Sequence, residues 1–157
     1  MDYNDLITNY GPTWHQQQFY DHSGRELDQF CIPEIIEVEP IHFCNFNCIM
    51  CHVHFEEKMS RKKLDLDLVA KNLSHPAFKN SWLLVSSGYE GMAHPDISNF
   101  FKNISNIGMK IELTTNGSLL TDSLISQIKE CNLKYVTFSF DGIHQDSYEY
   151  IREGANF

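Results

Sequence analysis

Three cysteines, Cys44, Cys48 and Cys51, stand close together in the segment FCNFNCIMCHVHF (43–55), spaced C-x3-C-x2-C. Thiolates are soft ligands for zinc and for iron–sulfur clusters, and so tight a triple points to metal before it points to a disulfide framework. The chain has five cysteines, an odd number. No basic-then-apolar segment opens it, so a cytoplasmic, reducing setting is expected. The flanking NFN and HVHFEEK stretches are too polar for a core strand. Structural zinc needs a fourth ligand, for which His52 or His54 is available. A [4Fe-4S] cube held by three thiolates instead keeps one iron open to another ligand.

These cysteines need a scaffold, and the chain has a strand-then-helix rhythm. The patterns predict strands over 34–43, 81–88, 110–117 and 134–142. Helices are predicted over 65–73, 94–108, 121–132 and 145–154. The clearest helix carries Ile97, Phe100, Phe101, Ile104 and Ile107 on one face, with Gly108 as its stop. Thr121 is the expected N-cap of the next. Such alternation means βαβ units and a parallel sheet. Each unusual polar or glycine cluster follows a strand: the cysteines, then SSGYEG, TTNG and SFDG. In parallel α/β folds, sites assemble at the carboxyl ends of the strands, so the four clusters are expected at one place. Residues 1–33 read as an N-terminal extension with a short helix.

Composition narrows the function classes. A formal net charge of -9 argues against general nucleic-acid binding. The basic SRKKL (60–64) reads as a solvated loop. No apolar run reaches the length of a membrane span. Cys31 and Cys131 read as structural, and His15, His22 and His42 lack ligand spacing.

With the strand order in place, C-x3-C-x2-C after the first strand resembles the radical S-adenosylmethionine (SAM) family. SSGYEGMAHPD (86–96) is similar to that family's glycine-glycine-glutamate segment. TTNGSLLT (114–121) and FSFDGIHQDSYEYIREGANF (138–157) resemble its third- and fourth-strand segments. The last is similar to members that carry an extra C-terminal cluster domain, the SPASM group. The resemblance implies a partial TIM-type (βα) barrel with about four of the family's six βα units, spanning 34–157. It implies a [4Fe-4S] cluster on Cys44, Cys48 and Cys51 and SAM as second cofactor. It further implies a one-electron reductant of flavodoxin or ferredoxin type. The family's reaction is reductive cleavage of SAM to a 5′-deoxyadenosyl radical, which abstracts hydrogen from a substrate. That substrate, peptide or small molecule, is not readable from the residues.

The resemblance also names SAM contacts: Ser87, Gly88, Tyr89 and Glu90, then Thr115 and Asn116, Ser139 and Asp141, and Arg152. Each has a plainer reading. Glu90 could serve a structural hydrogen bond, Asn116 a turn, Asp141 a cap and Arg152 the surface. Phe46 either shields the cluster or packs the loop. Two features depart from the family. The first glycine of the glycine pattern is replaced, giving Ser87-Gly88-Tyr89-Glu90, and Gly91 stands where proline is common. The chain is also short, which implies a fragment or truncated form with an exposed fourth strand and weak or absent turnover. A zinc-binding structural module and a non-catalytic half-barrel that binds a partner chain remain as alternatives.

Overall fold

The computed structural model describes residues 33–157. The extension expected over 1–33, with His15, His22 and Cys31, lies almost wholly outside the described residues. Four strands, β1 (Ile35–Val38), β2 (Trp82–Val85), β3 (Lys110–Thr115) and β4 (Leu133–Phe138), form one sheet in the order β1-β2-β3-β4. All three pairings are parallel. Helices α1 (Leu66–Leu73), α2 (Ile97–Ile107), α3 (Asp122–Ile128) and α4 (Gln145–Ile151) alternate with them. This is the α/β, four-unit arrangement expected from the sequence.

Alternation along each strand decides what faces the helices. Leu83, Val85, Ile111 and Leu113 are fully buried. They pack with Leu66, Ala70 and Leu73 of α1 and Ile97, Phe100, Phe101 and Ile104 of α2. The registers Leu84↔Glu112 and Thr114↔Thr137 place the intervening residues on the opposite, half-buried face. A helix stripe of period 3.6 against a strand face of period 2 is what each pattern demands.

The element ends are shorter than the patterns imply, and each has a local cause. β1 stops at Val38 rather than 43, because Pro40 has no N–H to give a ladder. Glu39 instead turns its carboxylate to the backbone N–H of Gly88 at 2.5 Å. β2 stops at Val85 because Ser86 takes a left-handed backbone, φ 68°. α2 begins at Ile97, after His94-Pro95-Asp96 rather than within it. His94 is buried, its Nε2 donating to the Leu64 carbonyl at 3.1 Å while Nδ1 accepts from the Asp96 N–H. That histidine therefore ties the start of α2 to the start of α1. Gly108, φ 94°, ends α2 as predicted. Thr121 caps α3, accepting from the Leu124 N–H at 3.2 Å. α3 ends at Ile128 rather than 132, where Asn132 is drawn away by the Ser105 hydroxyl and the Met109 carbonyl.

β4 pairs with β3 alone among the described residues. Its Tyr135, Val136 and Phe138 are exposed, as are Phe140 and Ile143 just beyond. Among the described residues, β4 is thus an edge strand with exposed apolar side chains. Substitution should separate the two sides sharply. Phe101→Ala, at a position with no exposure, is expected to cost about 3–5 kcal/mol. Phe138→Ala, 58% exposed, is expected to shift stability by about 0.5 kcal/mol or less. Urea midpoints of the two variants check this, and comparable losses would contradict the assigned core.

Candidate cofactor site

The carboxyl ends of the four strands open onto a cavity of about 290 Å³. Cys44, Cys48 and Cys51 line it from the loop after β1. Ser87, Gly88, Tyr89 and Glu90 line it after β2, Thr115 and Asn116 at the end of β3, and Ser139 after β4. Arg152 enters from the end of α4. Asp141 is not in the wall but meets it through an ion pair with Arg152 Nη2. Ser139 and Asp141 were expected on β4 itself. The strand ends at Phe138, and only one further backbone bond, Ser139 N–H to the Thr115 carbonyl at 2.9 Å, prolongs the pairing.

Glu90 holds the centre. It is 2% exposed, and its carboxylate accepts from the Met92 N–H, the Thr115 hydroxyl and the Asn116 N–H at 3.2, 2.8 and 2.8 Å. Its oxygens are thus committed to joining the ends of β2 and β3. Burial raises its pKa, and the Asn116, Thr115 and Met92 donors oppose that rise. Asn116 then reaches the cysteine loop, its Nδ2 donating to Asn45 Oδ1 at 3.0 Å and facing Cys44 Sγ at 3.9 Å.

Tyr89 points away along the loop. Its hydroxyl donates to Glu56 Oε1 at 2.6 Å, and this bond, with burial and nearby charge, pushes its pKa up to about 12. Glu56 also faces His42 Nε2 at 3.3 Å. Ser87 donates to Glu37 and Glu39. Gly91 sits so tightly on Ser86 that a Cβ there would overlap the serine side chain. The glycine at 91 and the residue at 86 therefore constrain each other.

The three thiols are free. Cys48 is buried, and Cys44 and Cys51 are half-buried. Each sulfur has a nitrogen directed at it. Phe46 N–H lies 3.5 Å from Cys44 Sγ, Arg152 Nη1 3.7 Å from Cys48 Sγ, and His52 Nδ1 3.8 Å from Cys51 Sγ. Burial raises the Cys44 and Cys48 pKa values, while Arg152 works against the rise at Cys48. A metal partner would favour the thiolates that burial disfavours. Among the described residues no three His, Cys, Asp or Glu side chains gather closely enough for a single metal ion. Three thiols lining one cavity suit a polynuclear cluster. Arg152 Nε is buried and unpartnered, a further donor left to a ligand. The donor set therefore fits an iron–sulfur cluster better than a tetrahedral zinc ion. His54, one candidate fourth zinc ligand, faces the Asn47 carbonyl at 3.3 Å instead.

The Radical SAM superfamily profile matches residues 38–157. The chain belongs to the radical SAM superfamily.

Among characterised relatives, it is 24% identical over 120 residues to the AdoMet-dependent heme synthase of Methanosarcina barkeri, covering 76% of this chain and 34% of that protein. It is 30% identical to the PqqA peptide cyclase of Bradyrhizobium diazoefficiens, over 75% of this chain and 31% of that one. It is 33% identical to a probable GTP 3′,8-cyclase of Methanothermobacter marburgensis, over 69% and 35%. The chain thus spans about a third of the length of these relatives. In fold it is similar to Streptococcus suis SuiB bound to S-adenosylmethionine, with TM-score 0.64 and 19% identity over 77% of this chain and 28% of that one. It is also similar to BtrN in complex with AdoMet and 2-DOIA, with TM-score 0.60 and 18% identity over 69% and 46%.

In this radical SAM chain, several residues around the cavity were not singled out from the sequence. Asn47 donates from its backbone to the Glu153 carbonyl at 2.8 Å and from its side chain to the Glu153 carboxylate at 2.7 Å. Ile49 N–H donates to the Ile151 carbonyl at 3.0 Å. The cysteine loop is thereby clamped by the end of α4. Phe46 is buried in that clamp, close under Gly154. The asparagines alternating with Phe46 were the available signal, since polar side chains within a metal loop need partners.

Two outcomes follow from this geometry. Gly91→Ala is expected to lose about 1–3 kcal/mol through overpacking. Adding Ser86→Gly should restore most of it, and equal losses in single and double variants, measured by denaturant unfolding, would exclude the contact. For Glu90 the folded pKa lies above the ordinary 4.5. Its contribution to stability is therefore full below about pH 4.5 and is lost as pH rises through the folded value. Across that range, Tm of the wild-type chain should fall relative to Glu90→Gln. Parallel Tm profiles would contradict the buried charge.

Proposed function

We propose that this chain carries the cofactor-binding core of a radical SAM enzyme. Cys44, Cys48 and Cys51 would hold a [4Fe-4S] cluster with one iron open to the amino and carboxylate groups of SAM. The observation that supports this most is the convergence of the cysteine loop and three later strand ends on one cavity. When bound, the cluster supplies one electron to SAM and so the 5′-deoxyadenosyl radical that takes hydrogen from a substrate. The electron would come from a flavodoxin- or ferredoxin-type partner.

The chain's own residues divide the remaining work. Ser87, Gly88 and Tyr89 would offer backbone groups to the methionyl end of SAM, with Glu90 fixing their position rather than binding SAM itself. Thr115 is held by Glu90 and supports Asn116, which faces both the cavity and Cys44. Ser139 would meet SAM from the β4 side. Arg152, with Asp141 behind it, would close the wall beside Cys48. Positioning and exclusion of water are the protein's part in such chemistry.

Relatives named for a peptide cyclase and for a GTP cyclase each match this chain over about a third of their own length. We propose a substrate that is a peptide or small molecule, bound with the help of residues beyond those described. No helix among the described residues is long and apolar enough to cross a membrane. Free thiols at the site fit a reducing, cytoplasmic location.

Anaerobic reconstitution with iron and sulfide tests the reading. About four irons per chain and a paramagnetic resonance signal that changes on adding SAM are expected. Each of Cys44→Ala, Cys48→Ala and Cys51→Ala should abolish the SAM response. Zinc in place of iron, or a signal indifferent to SAM, would sink the assignment.

A further inference from the structure

Arg152 stands out among the wall residues. Among the described residues lining the cavity, it is the one that carries a permanent positive charge. It is 7% exposed, so its charge is poorly screened by water. Nη1 lies 3.7 Å from Cys48 Sγ, and Nη2 is ion-paired with Asp141. Its backbone is fixed as firmly as its head group. Arg152 N–H donates to the Tyr148 carbonyl at 2.8 Å. On either side, Ile151 and Glu153 accept from Ile49 and Asn47 of the cysteine loop. The guanidinium is thus held by Asp141, and the backbone that carries it by the loop clamp.

We propose that Arg152, held in place by Asp141, is a positioning residue that raises the reduction potential of the cluster through the Cys48 sulfur. The inference rests on the reading of Cys44, Cys48 and Cys51 as cluster ligands. Its physical basis is that reduction adds negative charge to the cluster. A buried cation beside one ligand sulfur, donating a hydrogen bond to it, favours the reduced form. Of the other nitrogens facing the sulfurs, the Phe46 N–H and the Asn116 amide are neutral, and the His52 ring faces Cys51 rather than Cys48. Buried Glu90 brings negative charge toward Cys44. Arg152 is thus the group that offsets it. Asp141 moderates the effect while holding the guanidinium in register. A different duty, binding an anionic group of SAM through the unpartnered Nε, would leave the potential of the SAM-free cluster unchanged.

The test is a redox titration of the reconstituted, SAM-free chain, followed by the resonance signal of the reduced cluster, with iron counted per chain. Arg152→Met is expected to shift the midpoint to more negative potential, and Arg152→Lys to leave it near the wild-type value. Asp141→Asn, which removes the opposing charge, is expected to shift it the other way. Should Arg152→Met not retain iron, the Asp141→Asn titration decides. Unmoved potentials at wild-type iron content would overturn the proposal, even if SAM binding weakened. A wild-type chain that holds no iron would overturn the cluster reading as well, which separates the two failures.

Discussion

A single buried carboxylate organises this site. Glu90 leaves the end of β2 and takes hydrogen bonds from the end of β3, so two neighbouring strand ends share one acceptor. Burying that charge is costly unless donors surround it, and here a hydroxyl and two backbone N–H groups do so. Asn116, fixed by this contact, carries the order onward to Asn45 and the face of Cys44. The cysteine loop, which has little regular structure of its own, thus receives one wall from the sheet. It receives the other from Arg152 and Glu153 at the end of α4.

The fold was legible because its signals are periodic. The stripe of Ile97, Phe100, Phe101 and Ile104 and the apolar run of β2 each follow from burial against a neighbouring layer. The strand ends were less legible, because they are set by single residues. Pro40 and the left-handed Ser86 cut strands that composition alone would extend. Of the site, the cysteine spacing and the positions of the four clusters could be read directly, since parallel sheets gather such groups at one edge. The direction of each side chain could not. Tyr89 turns toward Glu56, and Arg152 toward Cys48, for reasons that reside in contacts across long stretches of chain.

The departures from the family pattern acquire a structural sense. Gly91 is matched to Ser86, whose side chain occupies the space that a larger residue at 91 would need. Tyr89 adds a link between the loop after β2 and the His42–Glu56 segment.

The clamp on the cysteine loop has a consequence in time. Arg152 follows Cys48 by 104 positions, and the partners of Asn47 and Ile49 emerge with it. At synthesis rates of roughly 5–20 residues per second, the thiols leave the ribosome some 5–20 s before their cover exists. During that interval they are open to oxygen, to stray metals and to whatever delivers iron. Helix α4 is thus a late-arriving latch over the loop, and a cluster taken up by these thiols would have that interval in which to enter.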